Sequence, residues 1–240
     1  MLTDIHCHIL PAIDDGASDN QETKAMLKKA YQDGIRRMIA TPHYHREMFE
    51  PSMKEVYRQY SIVKEWAREA GPEGIRLDLG CEYYRDSDVF ENFRKRNRPT
   101  LAGSQYVLLE FSPSDAYSRI REVVYRLLLE GFIPIIAHAE RYQALVREKN
   151  GIARIEDLCL LGGQIQLNAD AVLGKEGFRI KNFCKKLLEL RQVSFIASDC
   201  HNNDLRPSRL KECALYIEKK WGKEYAVHIF EENPSKIVGT

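Results

Sequence analysis

A chain of 240 residues, 44% of them hydrophobic, is long enough for one α/β barrel or two small domains with a sizeable core. Its formal net charge of +1 gives no overall basic field, which argues against a nucleic-acid partner. No stretch reaches the roughly 18 consecutive apolar residues of a membrane span, and the N-terminus lacks a basic region followed by an apolar run, so a cytoplasmic protein without a removable leader is expected.

There is no linker, repeat or low-complexity tract. Short apolar runs alternate with helical patterns, which predicts one parallel α/β domain over residues 1–240. Leu2-Thr3-Asp4-Ile5-His6-Cys7-His8 reads as a strand. Strand side chains alternate between faces, so His6 and His8 point the same way. Pro11 to Gly16 has turn chemistry. A helix from about Asn20 carries Ala25, Met26, Leu27 and Ala30 and stops at Gly34. The second strand, Ile35 to Ala40, ends in Thr41-Pro42-His43, where proline cannot continue a central ladder. A long helix spans about Pro51 to Glu69, with its aromatics in the buried stripe.

The third strand, Ile75 to Leu79, ends Gly80-Cys81-Glu82, and a short helix near Asp86 to Arg94 follows. The fourth, Tyr106 to Leu109, ends in Glu110 and leads to a helix over Ser118 to Glu130. The fifth, Phe132 to Ala137, ends in His138. The sixth, Gln164 to Leu167, ends in Asn168, with a helix near Gly177 to Leu190 after it. The seventh, Val193 to Ala197, ends Ser198-Asp199-Cys200-His201. Helical stretches at Ser208 to Lys219 and Lys223 to Glu231 close the chain. The six cysteines have no C-x-x-C spacing and read as independent reduced thiols.

Six of these seven strand ends carry His, Glu or Asp. In parallel α/β barrels the C-terminal strand ends converge on one face, where active sites lie. His6, His8, His43, Glu82, Glu110, His138, Asp199 and His201 therefore gather in one bowl, and Asp14 or Asp15 reaches over its rim; chemistry alone does not choose between the two aspartates. Taken singly, Glu82 or Glu110 would more often cap a helix, and His43 or His138 would more often be a hydrogen-bonded loop residue. The set carries the argument, and His45 and His228 fall outside it. Four carboxylates in one bowl would raise each other's pKa values unless cations lay between them. Nine ligands serve three divalent ions at three protein ligands each, with open positions for water and substrate. The residual charge of +2 suits a phosphate dianion. Imidazole and carboxylate without thiolate suit manganese, iron or zinc better than calcium.

Asp4 to Pro11, Ile13-Asp14-Asp15-Gly16, Ala40-Thr41-Pro42-His43, His138-Ala139-Glu140-Arg141-Tyr142 and Ala197-Ser198-Asp199-Cys200-His201 resemble the polymerase-and-histidinol-phosphatase (PHP) superfamily. More narrowly they are similar to the bacterial manganese-dependent protein-tyrosine phosphatases of capsule and exopolysaccharide clusters, over nearly the whole chain. The resemblance implies a distorted, TIM-like (β/α)7 barrel with a three-metal site, and it picks Asp15 of the aspartate pair. It assigns His6, His8, Glu82 and Asp199 to one ion; Glu82, Glu110 and His138 to a second; and Asp15, His43 and His201 to a third. Manganese is the expected metal, with iron, zinc, magnesium or cobalt as alternatives. Tyr44 departs from relatives that carry a second histidine there.

The expected chemistry is in-line attack on phosphorus by hydroxide that divalent ions make available at neutral pH. Arg141 and Arg206, on ligand-bearing loops, are expected to grip the phosphate, as the resemblance also implies. Tyrosine is a good leaving group, so a general acid is dispensable; His43 or Asp199 is the candidate if one is used. The implied partner is the tyrosine-rich tail of a membrane-associated bacterial tyrosine kinase.

Cys200 to Arg206 also satisfies C-x5-R, but cysteine phosphatases need a depressed thiol pKa and a backbone cradle, usually glycine-containing, and this loop has no glycine. Histidinol-phosphate phosphatase is the alternative within the same bowl. A nuclease lacks its basic, aromatic groove. An amidohydrolase would need a bridging lysine where glutamates stand. A non-catalytic partner-binding barrel leaves the ligand set unused.

Overall fold

The computed structural model describes residues 1–85, 89–95, 97–147 and 149–239. In chain order the elements are β1 (Leu2–Cys7), α1 (Asn20–Gln32), β2 (Ile35–Ala40), β3 (His43–Tyr44), α2 (Met53–Arg68), β4 (Arg76–Leu79), β5 (Glu82–Tyr84), α3 (Val89–Lys95), β6 (Tyr106–Glu110), α4 (Tyr117–Leu129) and β7 (Ile133–Ile136). They continue as α5 (Gln143–Val146), α6 (Gly151–Leu161), β8 (Gln164–Asn168), α7 (Ala169–Leu173), α8 (Phe178–Glu189), β9 (Phe195–Ala197), α9 (Leu210–Trp221), α10 (Lys223–Val227), a π-helical turn (His228–Glu232) and α11 (Asn233–Val238). The helix expected at Asp86 to Arg94 starts at Val89; residues 86–88 lie outside the described residues. Helices α5, α6, α7 and α11 lie in stretches to which the sequence assigned no element.

Every strand pairing is parallel, as expected, in a three-stranded sheet β1-β2-β4 and a six-stranded sheet β3-β5-β6-β7-β8-β9. The second and third expected strands are each interrupted. Pro42 lacks an N–H, so β2 resumes as β3 only at His43. Gly80 breaks β4 from β5, and a Cβ there would lie 2.7 Å from Leu101 Cδ2. Backbone bonds from Gly80 N to Ala40 O (2.8 Å) and from Glu82 N to Pro42 O (3.1 Å) keep the interrupted strands side by side. The sheet curls far enough to bring its first and last strands together at their C-terminal ends: Asp199 N donates to His6 O and His8 N to Cys200 O, each at 2.9 Å.

Curling creates an inside and an outside, and both are apolar below the strand ends. Ile5, Ile39, Leu108, Ile135, Ala137, Phe195 and Ala197 form a small interior cluster plugged by Leu101 and Ile237. The opposite faces, among them Met38, Leu77, Leu109, Ile136 and Leu167, pack in the larger cluster that includes helix residues such as Leu27, Val63, Leu127 and Leu187. Strands buried on both faces explain why the sequence shows continuous apolar runs rather than clean alternation.

The first strand departs from regular pleating. Asp4 pairs with Met38 and Cys7 with Ala40, so β1 spends three steps where β2 spends two. This bulge lets Ile5 stay in the interior floor while His6 and His8 face the space above it. Helix starts follow local chemistry: Asp19 Oδ1 accepts from the Gln21 and Glu22 amides, and Ser52 Oγ from the Glu55 amide.

Candidate metal centre

Above the apolar floor the strand ends bring together all nine residues expected from the sequence. Their ligand atoms fall into four overlapping groups, within which all lie within 4.8 Å of one another: His8, Asp15, His43 and His201; His6, His8 and Asp199; His6, Glu82 and His138; His43, Glu82 and Glu110. Glu82 is the hub. Its Oε2 lies 3.2 Å from both His6 Nε2 and His8 Nε2 and 3.0 Å from His43 Nδ1, while its Oε1 lies 2.8 Å from His138 Nε2. His8, His6, Glu82 and His43 each belong to two of the groups, which makes the four clusters continuous.

Four of the imidazoles show how they are held. His6 Nδ1 meets Gln166 Oε1 at 3.1 Å, His8 Nδ1 meets Asp14 Oδ2 at 2.8 Å, His138 Nδ1 meets Tyr142 Oη at 3.3 Å, and His201 Nδ1 meets the Asp199 carbonyl at 3.0 Å. Behind His6, His8 and His201 the partner of Nδ1 is an oxygen acceptor, so each of these rings, when neutral, would carry Nδ1–H and turn Nε2 inward, whereas the Tyr142 hydroxyl, which accepts from Phe111 N, can itself donate to His138 Nδ1. His6 Nε2 and His8 Nε2 then face each other at 3.2 Å, and Glu82 Oε2 and His201 Nε2 are buried without a hydrogen bond of good geometry. Nitrogen and carboxylate donors that converge on one space, on rings anchored from behind, fit a divalent cation.

The two neighbouring aspartates separate cleanly. Asp14 is buried behind the imidazoles: besides His8, its carboxylate accepts from Gly16 N (3.0 Å) and His43 N (2.9 Å). Asp15 sits half exposed at the rim, 3.4 Å from both His43 Nε2 and His201 Nε2. Gly16 follows because the loop runs against His8; a Cβ there would come within 2.2 Å of the His8 carbonyl.

His138 (φ 31°) and Asp199 (φ 50°) occupy left-handed backbone, which costs a non-glycine residue on the order of 1–3 kcal/mol. Both are the turning points at which a strand end re-aims its side chain into the bowl. Arg141 Nη2 and Arg206 Nη2 both reach Asp199 Oδ2, at 2.8 and 2.9 Å, and Arg206 Nη1 lies 3.6 Å from Asp15 Oδ2. Two partly exposed guanidiniums thus meet at one edge of the cluster.

The electrostatics match a site built for cations. Burial alone would push Glu82 and Asp199 up, yet His6 and its neighbours hold both carboxyls well below the usual range. Burial and the charge of Glu82 push Glu110 up to about 7. Burial and Arg141 push His138 down to about 4. His8 is held well above its ordinary value against burial, chiefly by Asp14. In the bare protein, protons stand in for the missing positive charge.

The cysteine reading of Cys200 meets a loop already spent on itself. His201 N and Asn202 N donate to Arg206 O, and Asn202 Oδ1 accepts from the amides of Asp204, Leu205 and Arg206. Those amides form no anion cradle. His45 stacks on Tyr84, and His228 pairs with Glu232 on the surface, both away from the cluster as expected. The sequence left the supporting residues Gln166, Asn168 and Tyr142 without a role and offered Asp14 only as an alternative ligand to Asp15. Gln166 and Asn168 had a signal, since they repeat the two-residue spacing of His6/His8 and Asp199/His201.

The family described as capsular polysaccharide synthesis, CpsB/CapC, matches residues 2–239. The tyrosine-protein phosphatase CpsB of Streptococcus pneumoniae is 35% identical over 242 residues, covering 99% of this chain and 98% of its own length. The tyrosine-protein phosphatase YwqE of Bacillus subtilis is 34% identical over 230 residues, covering 93% and 86%. A structure from the work on YwqE and CpsB, described there as unique metal-dependent tyrosine phosphatases, superimposes with a TM-score of 0.89 at 30% identity, covering 99% of this chain and 94% of that one. The phosphotriesterase homology protein of Escherichia coli shares the fold alone, with a TM-score of 0.60 at 12% identity.

Proposed function

Because this chain belongs to the CpsB/CapC family of capsular polysaccharide synthesis proteins, we propose that its strand-end bowl is the active site of a metal-dependent protein-tyrosine phosphatase. The observation that carries this reading is the convergence of four back-anchored imidazoles and four carboxylates beside two arginines. His6, His8, Glu82 and Asp199 would hold one ion, Glu82, Glu110 and His138 a second, and Asp15, His43 and His201 a third. The third set recurs in the geometry with His8 added and the first recurs without Glu82, whereas Glu82 groups with His6 and His138 on one side and with His43 and Glu110 on the other, so the second set does not recur as one group. The mixed nitrogen and oxygen donors suit manganese, iron or zinc better than calcium, and manganese is the ion that the family resemblance implies. We read the curled sheet as the distorted seven-stranded barrel of one domain spanning residues 1–240.

When bound, such ions supply an activated water at neutral pH and neutralise phosphoryl charge. The chain's own groups do the positioning. Arg141 and Arg206 each commit one Nη2 to Asp199, which fixes two guanidinium forks at the edge of the bowl to orient a phosphate dianion and stabilise charge on its oxygens. Asp199 is held ionised by His6, His8 and Arg141 and cannot supply a proton.

The substrate we assign is a phosphotyrosine-bearing tail of a membrane-associated bacterial tyrosine kinase, met in the cytoplasm. No helix among the described residues is long and apolar enough to cross a membrane, and six unpaired cysteines suit a reducing compartment. The test is phosphate release from a phosphotyrosine peptide, with histidinol phosphate in parallel, in the presence of manganese, with chelator, and with Cys200→Ser protein. Turnover that needs manganese and survives Cys200→Ser is expected. Chelator-resistant turnover abolished by Cys200→Ser would sink the metal reading, and a preference for histidinol phosphate would move the substrate to a small metabolite.

A further inference from the structure

Of the seven strands expected from the sequence, the sixth, now β8, is the one whose end offers no ionisable group, yet it stands behind the cluster with two buried amides, Gln166 and Asn168. Their orientation is fixed by partners with only one possible role. The backbone N–H of His138 can only donate, and it lies 2.9 Å from Gln166 Oε1. Asp199 Oδ2 faces Arg141 Nη2 and Arg206 Nη2, which can only donate, so it is an acceptor, and it lies 2.8 Å from Asn168 Nδ2. Between these ends Gln166 Nε2 donates to Asn168 Oδ1 at 2.8 Å. Neither amide can flip without setting like groups against each other at one end or the other. Gln166 Oε1 therefore also faces His6 Nδ1, at 3.1 Å, as an acceptor.

We infer that Gln166, locked in place by Asn168 and the His138 amide, is a positioning residue that sets the Nδ1–H tautomer of His6, so that His6 turns Nε2 to the metal cluster, and that Asn168 orients Asp199 for the same ion. The inference rests on reading His6 and Asp199 as ligands. One relay on a ligand-free strand thereby ties together residues from β1, the end of β7 and the end of β9. Among the described residues no other group meets His6 Nδ1, while its Nε2 faces His8, Glu82 and Asp199.

The test compares wild type, Gln166→Leu, Gln166→Glu and Asn168→Ala as full-length protein. Nitrogen-15 NMR of histidine-labelled, metal-free protein, brought to a pH at which the His6 ring is neutral, reads which ring nitrogen carries the proton. Calorimetric titration with manganese alone reads affinity. Wild type should show His6 as Nδ1–H. Gln166→Leu should lose that tautomer and bind manganese 10- to 100-fold more weakly. Asn168→Ala should keep the tautomer, because the His138 amide still holds Gln166, and should weaken binding through Asp199. Gln166→Glu retains the acceptor and should keep the tautomer, which serves if Gln166→Leu does not fold. An unchanged His6 tautomer in Gln166→Leu, or its loss in Gln166→Glu or Asn168→Ala, would overturn the assignment. Wild type that shows Nδ1–H but binds no manganese would uphold the relay and overturn the metal reading instead.

Discussion

Replacing two adjacent aspartates should produce opposite outcomes. Asp14 is buried and its carboxylate accepts from an imidazole N–H and from the backbone amides of Gly16 and His43. In Asp14→Ala those three donors would be buried without an acceptor. Each such loss costs about 1–3 kcal/mol, so a sum of roughly 3–5 kcal/mol is expected if the loop relaxes in part. For a domain of this size that is a fall in melting temperature of roughly 6–20 °C. Asp15 is half exposed and touches only imidazoles and Arg206. Asp15→Ala should therefore change the stability of the metal-free protein by less than about 1 kcal/mol. It should instead lower the bound metal by one ion per chain. Calorimetric melting of chelator-treated protein and elemental analysis after manganese loading read the two effects separately. Asp14→Ala melting with wild type, or Asp15→Ala keeping the full complement of ions, would refute the division of labour drawn from the geometry.

Arg141→Ala and Arg206→Ala should each lower kcat/KM for a phosphotyrosine peptide about 10²- to 10³-fold with metal content unchanged, the loss of one preorganised donor group; Arg141→Lys should recover little of it, because a point ammonium cannot span two oxygens, and steady-state kinetics decides this. Metal binding should strengthen as pH rises. His6 and His8 sit above their ordinary values in the metal-free protein, so they carry protons near neutrality that an incoming cation must displace. Manganese titrations in buffers of different ionisation enthalpy should report net proton release that shrinks toward alkaline pH, and a pH-independent affinity would contradict it. Gly16→Ala places a methyl against the His8 carbonyl and Cβ and should destabilise by about 1–3 kcal/mol while weakening metal binding through His8, measured by denaturant titration and calorimetry.

Much of this molecule is local and was therefore legible in the sequence. Apolar runs of four to six residues separated by amphipathic helices specify parallel strands, and a His, Glu or Asp after the run marks where each strand meets solvent. That pattern gathers eight of the nine candidate ligands, because parallel strands put all their C-terminal ends on one face, and it leaves the ninth as a choice between Asp14 and Asp15. The two-residue spacing in His6/His8 puts both rings on one face by pleating, and the β1 bulge only shifts which residue below them stays in the floor. What sequence could not reach depends on contacts between residues far apart. Asp14 and Asp15 are chemically equal in the chain; the fold buries one against His8 and His43 and leaves the other at the rim. Gln166 looks like an ordinary strand residue until β8 is placed behind His6, a hundred and sixty positions away. The bends at His138 and Asp199 likewise follow from what their side chains must reach, not from any local turn signal, since neither is a residue type that left-handed backbone demands. The candidate ligands other than Asp15 were thus written in composition and spacing, whereas their orientation was decided only when the curled sheet brought its strand ends within hydrogen-bonding distance.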